Sequence, residues 1–341
     1  MTVVYRVRWT ACLLLSLAAV GANAQSTATD AASLGLTELT DDVSREQLFT
    51  EIQATDKKGS PADVARAEEA CQTFALNGPF RFPGDTTYDS SLNRPRAEAV
   101  FGVDISHYTS LSFPIEQLAV RNVQFLYMKA TQGATGLDGK FTAFWQRAGG
   151  LPHGSQVHRG AYHFLSACRG ADCNIDATKW GKLQADTFVK VIRANGGLLA
   201  TDMPPVVDLE WDKASIDGPD RWQGRSAADI AAMVDAFLTR VKADLNRTPM
   251  IYTARSWWDD RMKNHTMSPT MKAAGLWVAD YSKSSRASEV PRTIAGVSWA
   301  LWQFTNAATM AMGFTAGFDA NIWKGPRADF YRSLGVKEFD Q

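Results

Sequence analysis

The chain has 341 residues, 45% of them hydrophobic and 21% charged, enough to fold around a large core of its own. Lysine plus arginine balances aspartate plus glutamate at 36 each, so composition offers no general attraction to nucleic acid or to an acidic lipid surface. The 11 Trp and 8 Tyr fit a core, and they also fit a carbohydrate cleft, because aromatic rings stack on the apolar faces of sugars.

Residues 1–24 read as a cleaved signal peptide. Arg6 and Arg8 give a positive start, Ala11 to Val20 form the apolar segment, and Ala22, Asn23 and Ala24 make a small-residue cleavage site. The apolar run is short for a bilayer span and no other stretch approaches one, so the expected product is secreted or periplasmic with no stable membrane span. Cysteine usage suits such a compartment. Cys12 leaves with the signal, and Cys168 and Cys173 bracket a segment able to close a local disulfide, with Cys71 left over. Pairing of Cys71 with either of the other two is equally permitted. Without CxxC pairs, clustered histidines or the carboxylate spacing of a calcium loop, neither a metal nor an organic cofactor is expected.

Residues 25–97 form an N-terminal extension of unknown role. Helical periodicity over 43–55 and 61–76 makes it mostly helical, with Ser60 and Pro61 as cap and first turn of the second helix. Residues 77–97, with Asn77-Gly78-Pro79 and Asn93-Arg94-Pro95, read as a linker or a surface-hugging stretch. The main domain is placed at 98–335. There, short apolar runs at 101–105, 123–130, 157–164, 204–210, 249–253, 275–279 and 298–304 predict strands. Segments 138–149, 176–195 and 226–245 predict helices between them. The alternation argues for an α/β fold, and the shorter late connections favour an irregular TIM-like β/α barrel over eight equal strand-helix units, with an open doubly wound sheet still permitted.

The clearest strand runs from Pro204 to Glu210, with its prolines at the entrance. Side chains two apart on a strand share a face, so Asp208 and Glu210 point together. Two neighbouring acids resist double ionisation, which keeps a proton available near neutral pH. A glycosidase needs such a proton for the leaving oxygen, and then a base for water. A structural pair held by arginine or a helix N-terminus, or a divalent-metal site, is the alternative use. Asp104 ends the run from Phe101, and Asp319 lies in Gly317-Phe318-Asp319-Ala320-Asn321; either also suits a helix cap. Four carboxylates at one rim would match the way barrel sites assemble at strand C-termini.

Eight motifs in order carry a resemblance to a known family. They are GVDISHY at 102–108, FLYMKATQG at 125–133, GAYHF at 160–164, PPVVDLE at 204–210, PMIYT at 249–253, LWVADY at 276–281, LWQFT at 301–305 and GFDANIW at 317–323. The chain resembles the glycoside hydrolase family 25 lysozymes, N-acetylmuramidases of the Chalaropsis type, over roughly residues 100–332. The resemblance implies an irregular β/α barrel that cleaves the β-1,4 bond between N-acetylmuramic acid and N-acetylglucosamine, with peptidoglycan glycan strands as partner. It makes Glu210 the general acid/base, Asp208 the second acid of the pair, and Asp104 and Asp319 the further cleft carboxylates. Because Asp208 sits beside the acid rather than across the bond, a substrate-assisted route through the sugar's 2-acetamido group is favoured over an enzyme nucleophile.

Tyr162, Tyr252, Trp277, Tyr281, Trp302 and Gln303 lie in or beside matched motifs and are expected to contact substrate, with core support the alternative for Tyr162 and Trp302. His163 is expected to brace, and Lys129 to pair with one of the acids. Two departures stand out: an acid at Asp280, where relatives are expected to be neutral or basic, and a long stretch from Trp211 to Arg225 after the acid pair. The competing functions are a chitin or other N-acetylhexosamine-polymer hydrolase and an inactive cell-wall-binding protein.

Overall fold

The computed structural model describes residues 30–39, 99–168, 170–213, 218–280, 291, 293–310, 314–323 and 325–340, together with the backbone at 80–81, 88–89 and 94–95. Eight strands build the central sheet: β1 (Phe101–Ile105), β2 (Val123–Gln132), β3 (His158–Phe164), β4 (Val206–Leu209), β5 (Met250–Ala254), β6 (Gly275–Ala279), β7 (Trp299–Met310) and β8 (Phe314–Trp323). Each pairs with the next, and β8 returns to β1 to close a barrel. The first seven run parallel; β8 is antiparallel to both β7 and β1. The expected α/β barrel is therefore present, and its irregularity lies in that final reversed strand.

Among the described residues the helices are α1 (Phe141–Gly149), α2 (Ala177–Ala194), α3 (Ala227–Leu245), α4 (Arg255–Arg261), α5 (Pro269–Ala273) and α6 (Arg327–Leu334). Side-chain caps set three starts: Asp176 accepts from Lys179 N, Ser226 from Asp229 N, and Ser268 from Met271 N ahead of Pro269. β1 and β2 are joined by two 3-10 turns, Ile115–Gln117 and Ala119–Arg121. α1 starts at Phe141 rather than near 138, because the Asp138 carboxylate turns the chain by accepting from Lys140 N and His107 N.

Every residue of β1 and β5 is buried, as expected of parallel strands covered on both faces. Inside the barrel, Tyr127 lies 4.8 Å from Trp277 between ring centroids and donates its hydroxyl to Pro204 O at 2.9 Å. Space around that ring is tight: a Cβ on Gly160 would sit 2.3 Å from the Tyr127 ring, so only glycine fits on β3 there. The sequence pattern omitted β8 as a strand, because Gly317, Asp319 and Asn321 interrupt its apolar run with residues that are poor strand formers.

The described parts of the N-terminal extension are strand and 3-10 turn. Thr37–Glu38 pairs with Gly136–Leu137, which itself pairs with the end of β2, and Phe80–Arg81 pairs with β7 at Ala308 and Thr309. The extension thus adds strands to the barrel sheet at two places. The helices expected at 43–55 and 61–76, the signal peptide and Cys71 lie outside the described residues. Cys168 and Cys173 form the local disulfide. Among the described residues no helix is long and apolar enough to cross a membrane.

Candidate active site

The parallel strands deliver their C-terminal ends to one rim, and β8 reaches the same rim from the opposite direction. Asp104 on β1 lies directly opposite Asp319 on β8. Asp208 on β4 sits between Phe164 of β3 and Tyr252 of β5, and Glu210 follows just past the strand. The exposures of the four acids are 7% for Asp104, 4% for Asp208, 9% for Glu210 and 7% for Asp319. Tyr162 on β3 stands among them: Asp104, Asp208, Asp138 and Asp319 all act on its phenol, which burial and these charges hold well above the ordinary value. The four predicted carboxylates and Tyr162 therefore meet at one mouth.

The pair at the end of β4 has a raised affinity for protons. Burial raises Asp208 well above the usual carboxylate range, and the neighbouring Glu210 adds to the rise, with Lys129 opposing it. Burial pushes Glu210 up to about 7; Lys129 pulls it down and Asp104 pushes it up. Asp208 Oδ1 is buried and has no hydrogen-bond partner among the described residues. The pair consequently holds a proton at neutral pH and keeps one acceptor oxygen unspent.

Asp104 has the opposite surroundings. Its Oδ2 accepts from Gln303 Nε2 at 2.9 Å and from Asn321 Nδ2 at 2.7 Å. The amide orientations are fixed from behind: Tyr252 OH donates to Gln303 Oε1 at 2.8 Å, and the Trp277 indole, a donor only, gives its proton to Asn321 Oδ1 at 2.9 Å. Tyr252, Gln303 and Trp277, expected at the substrate, here hold Asp104.

Two tryptophans expected at the substrate are placed in packing contacts. Trp277 is 2% exposed and packs inside the barrel against Tyr127 and Tyr252. Trp302 follows the strand alternation to the face opposite Gln303, donates to Asp280 O at 3.0 Å and packs on Trp299 and Phe304. Tyr281 lies outside the described residues. Asp280 is 1% exposed, which rules out a solvent-facing role for that extra acid. His163 braces as expected. Gln184 Oε1 receives Ser166 N and lies 3.2 Å from His163 Nε2, so Nε2 carries the proton and Nδ1 accepts from Thr131 Oγ1 at 2.7 Å. Burial drops this imidazole to about 3, so it stays neutral.

Several contributors gain a defined role only in the structure. Asn321 sits inside an apolar run and signals nothing alone. Asp138 pairs with His107 Nδ1 at 3.0 Å and faces the rim from the turn before α1. Asp212 ties two rim loops together by accepting from Ala167 N at 3.0 Å and pairing with Arg221 at 2.5 Å. Trp222, fully buried, donates its indole N–H to Glu210 O at 2.9 Å and so fixes the backbone that carries the acid. The long stretch after the pair is thus a braced wall in its described part, with Asp220 paired to Arg261 at 2.7 Å. Among the described residues no group of three or more His, Cys, Asp or Glu has the geometry of a metal site.

Comparison with known proteins agrees with this geometry. The sequence matches Glycosyl hydrolases family 25 over residues 103–312. Lysozyme M1 of Streptomyces globisporus is 29% identical over 233 residues, which span 67% of this chain and 69% of that protein. The N,O-diacetylmuramidase of Chalaropsis sp. is 30% identical over 215 residues, 61% of this chain and 89% of its own length. Among solved structures, the bacterial lysozyme from Streptomyces coelicolor superposes with a TM-score of 0.55 at 26% identity, covering 70% of this chain and 98% of that one. A family GH25 lysozyme from Aspergillus fumigatus gives a TM-score of 0.54 at 25% identity, covering 70% of this chain and all of that one. The chain belongs to glycosyl hydrolase family 25 and is a glycoside hydrolase.

Proposed function

We propose that the protein is a lysozyme, an N-acetylmuramidase that hydrolyses the β-1,4 bond between N-acetylmuramic acid and N-acetylglucosamine in peptidoglycan. The observation that carries this reading is the unequal acid pair at the barrel mouth: Glu210 poised at about 7 beside Asp208, whose Oδ1 has no partner among the described residues. The muramidase relatives support the substrate assignment. The export pattern of residues 1–24 and the Cys168–Cys173 disulfide support action outside the cytoplasm, where that polymer lies.

In the proposed mechanism Glu210 donates its proton to the glycosidic oxygen as the C1–O bond breaks. The acetamido carbonyl oxygen of the same sugar forms the new bond to C1, giving a cyclic oxazolinium with retained access for water. With the pair's one proton carried by Glu210, Asp208 is ionised, receives the acetamido N–H on its bare oxygen and balances the positive charge. Glu210, now ionised, takes a proton from water, which attacks C1 and restores the acetamido group, with net retention. Asp104 and Asp319 supply negative charge on the other side of the mouth, and Tyr162 presents a phenol to the sugar between them.

Digestion of purified peptidoglycan followed by product analysis tests the assignment. New reducing-end muramic acid, lost in Glu210→Gln while wall binding persists, is the expected result. Cleavage of chitin oligomers without peptidoglycan cleavage would instead identify an N-acetylhexosamine-polymer hydrolase. Wall binding with no turnover in the unmodified protein would identify a binding module. A covalent glycosyl adduct on Asp104, Asp208 or Asp319 would replace substrate assistance with an enzyme nucleophile.

A further inference from the structure

The described interior is strongly unbalanced in charge: nine aspartates and glutamates are buried, and Lys129 is the one buried lysine or arginine among the described residues. Three of those acids, Asp202, Asp212 and Asp220, pair with partly exposed arginines. Lys129 is held deep in the barrel instead, at the end of β2, in register with Tyr162.

How it is held is informative. Lys129 and Gln132 are three residues apart, so a regular strand would send their side chains to opposite faces. The pairing of β2 with β3 slips between Lys129 and Thr131, which leaves Ala130 as an extra residue. The slip brings Gln132 onto the face of Lys129, and the ammonium donates to Gln132 Oε1 at 2.7 Å. The same ammonium lies 4.7 Å from the centre of the Phe164 ring, and Phe164 is the register partner of Asp208. A backbone irregularity, an amide and an aromatic face thus fix one positive charge beside the acid pair.

We propose that Lys129 is the counter-charge of the Asp208–Glu210 pair, a positioning residue that keeps Glu210 able to alternate between proton donor and proton acceptor. The proposal rests on the muramidase reading. Burial lowers the Lys129 ammonium from its ordinary value, and the charges that oppose this are Asp138 from the turn before α1, Asp208 and Glu210 from the end of β4, and Asp212 from the loop beyond it. Those acting on Glu210 are Lys129 from β2 and Asp104 from β1. Lys129 is the one that favours the ionised carboxylate, against burial and Asp104. Without it Glu210 would hold its proton too tightly to give it to the glycosidic oxygen in the first step.

The test is the pH dependence of kcat/KM on solubilised glycan strands for the full chain and for Lys129→Met, Lys129→Gln and Lys129→Arg. The basic limb follows loss of the Glu210 proton, so deleting the positive charge is expected to move it upward by about one pH unit. Turnover at neutral pH falls at the same time, while Lys129→Arg keeps the limb in place. Charge-deleted variants that melt like the parent yet leave the limb unmoved would overturn the proposal. If neither charge-deleted variant folds, Gln132→Leu releases the ammonium and should move the limb in the same direction by less; an unmoved limb there also overturns it. A parent protein with no activity on peptidoglycan would defeat the muramidase reading instead, which separates the two failures.

Discussion

Asp104 and Asp208 are the same residue type on parallel strands of one barrel, and their surroundings could hardly differ more. Asp104 receives two amide protons whose orientation is locked by Tyr252 and Trp277. Asp208 is pressed against Glu210 and keeps a buried oxygen with no partner among the described residues. One side of the mouth is finished before substrate arrives, and the other is left incomplete. Residual binding capacity in a folded protein costs stability, and it marks where a ligand's hydrogen bond is meant to go. In the proposed reaction the finished side supplies fixed charge and the unfinished side does the proton and amide chemistry.

The comparison can be broken most severely at the acid. Glu210→Gln should lower kcat on peptidoglycan by roughly three orders of magnitude with wall binding retained, measured by reducing-end release and pull-down. Asp208→Asn should cost about two orders in kcat with a smaller change in KM, because the amide cannot balance the oxazolinium charge.

The same pair should control the alkaline side of stability. Both acids have raised values in the folded state, so the folded protein binds more protons than the unfolded chain between the ordinary carboxylate range and about pH 7. Stability therefore falls as pH rises through that window, and Glu210→Gln should raise the melting temperature at pH 8 while leaving it nearly unchanged at pH 4. An unchanged Tm at pH 8 would mean that the pair is relieved by contacts outside the described residues.

On the finished side, Asn321→Leu strips Asp104 of one donor and orphans the Trp277 indole. It should destabilise the fold by about 1–3 kcal/mol in chemical denaturation and lower activity by less than Asp208→Asn does. The smallest effect belongs to His163. Its folded value of about 3 lies below the ordinary imidazole value, so its contribution is complete above pH 6.5 and is lost as pH falls toward 3. His163→Gln should flatten the acid-side slope of a Tm–pH curve without moving the pH optimum of turnover.

Much of this architecture was legible because it follows from spacing. The apolar runs at 101–105 and 275–279 coincide with β1 and β6, and the period-two rule placed Asp208 and Glu210 together. The same rule, applied from Gln303, also puts Trp302 on the opposite face; its place in a matched motif gave the expectation of sugar contact, with core support as the alternative. What spacing could not reveal are relations across the fold. Asn321 acquires its meaning only from Asp104, 217 residues earlier. The slip at Ala130 depends on two strands pairing, and no local propensity encodes it.

The reversed strand β8 has a consequence for assembly. It is the last of the barrel strands, yet it neighbours the first, and the contact that orients Asp104 spans those two ends of the domain. Seven strands emerging in order can pair side by side as a curled ribbon, but the ribbon has two free edges and an unclamped Asp104 until residues 314–323 arrive. A chain cut short before β8 would carry Asp104, Asp208 and Glu210 and still have no assembled mouth. Hydrolytic competence in this protein thus depends on the completed circle, with the seam between its first and last strands closed.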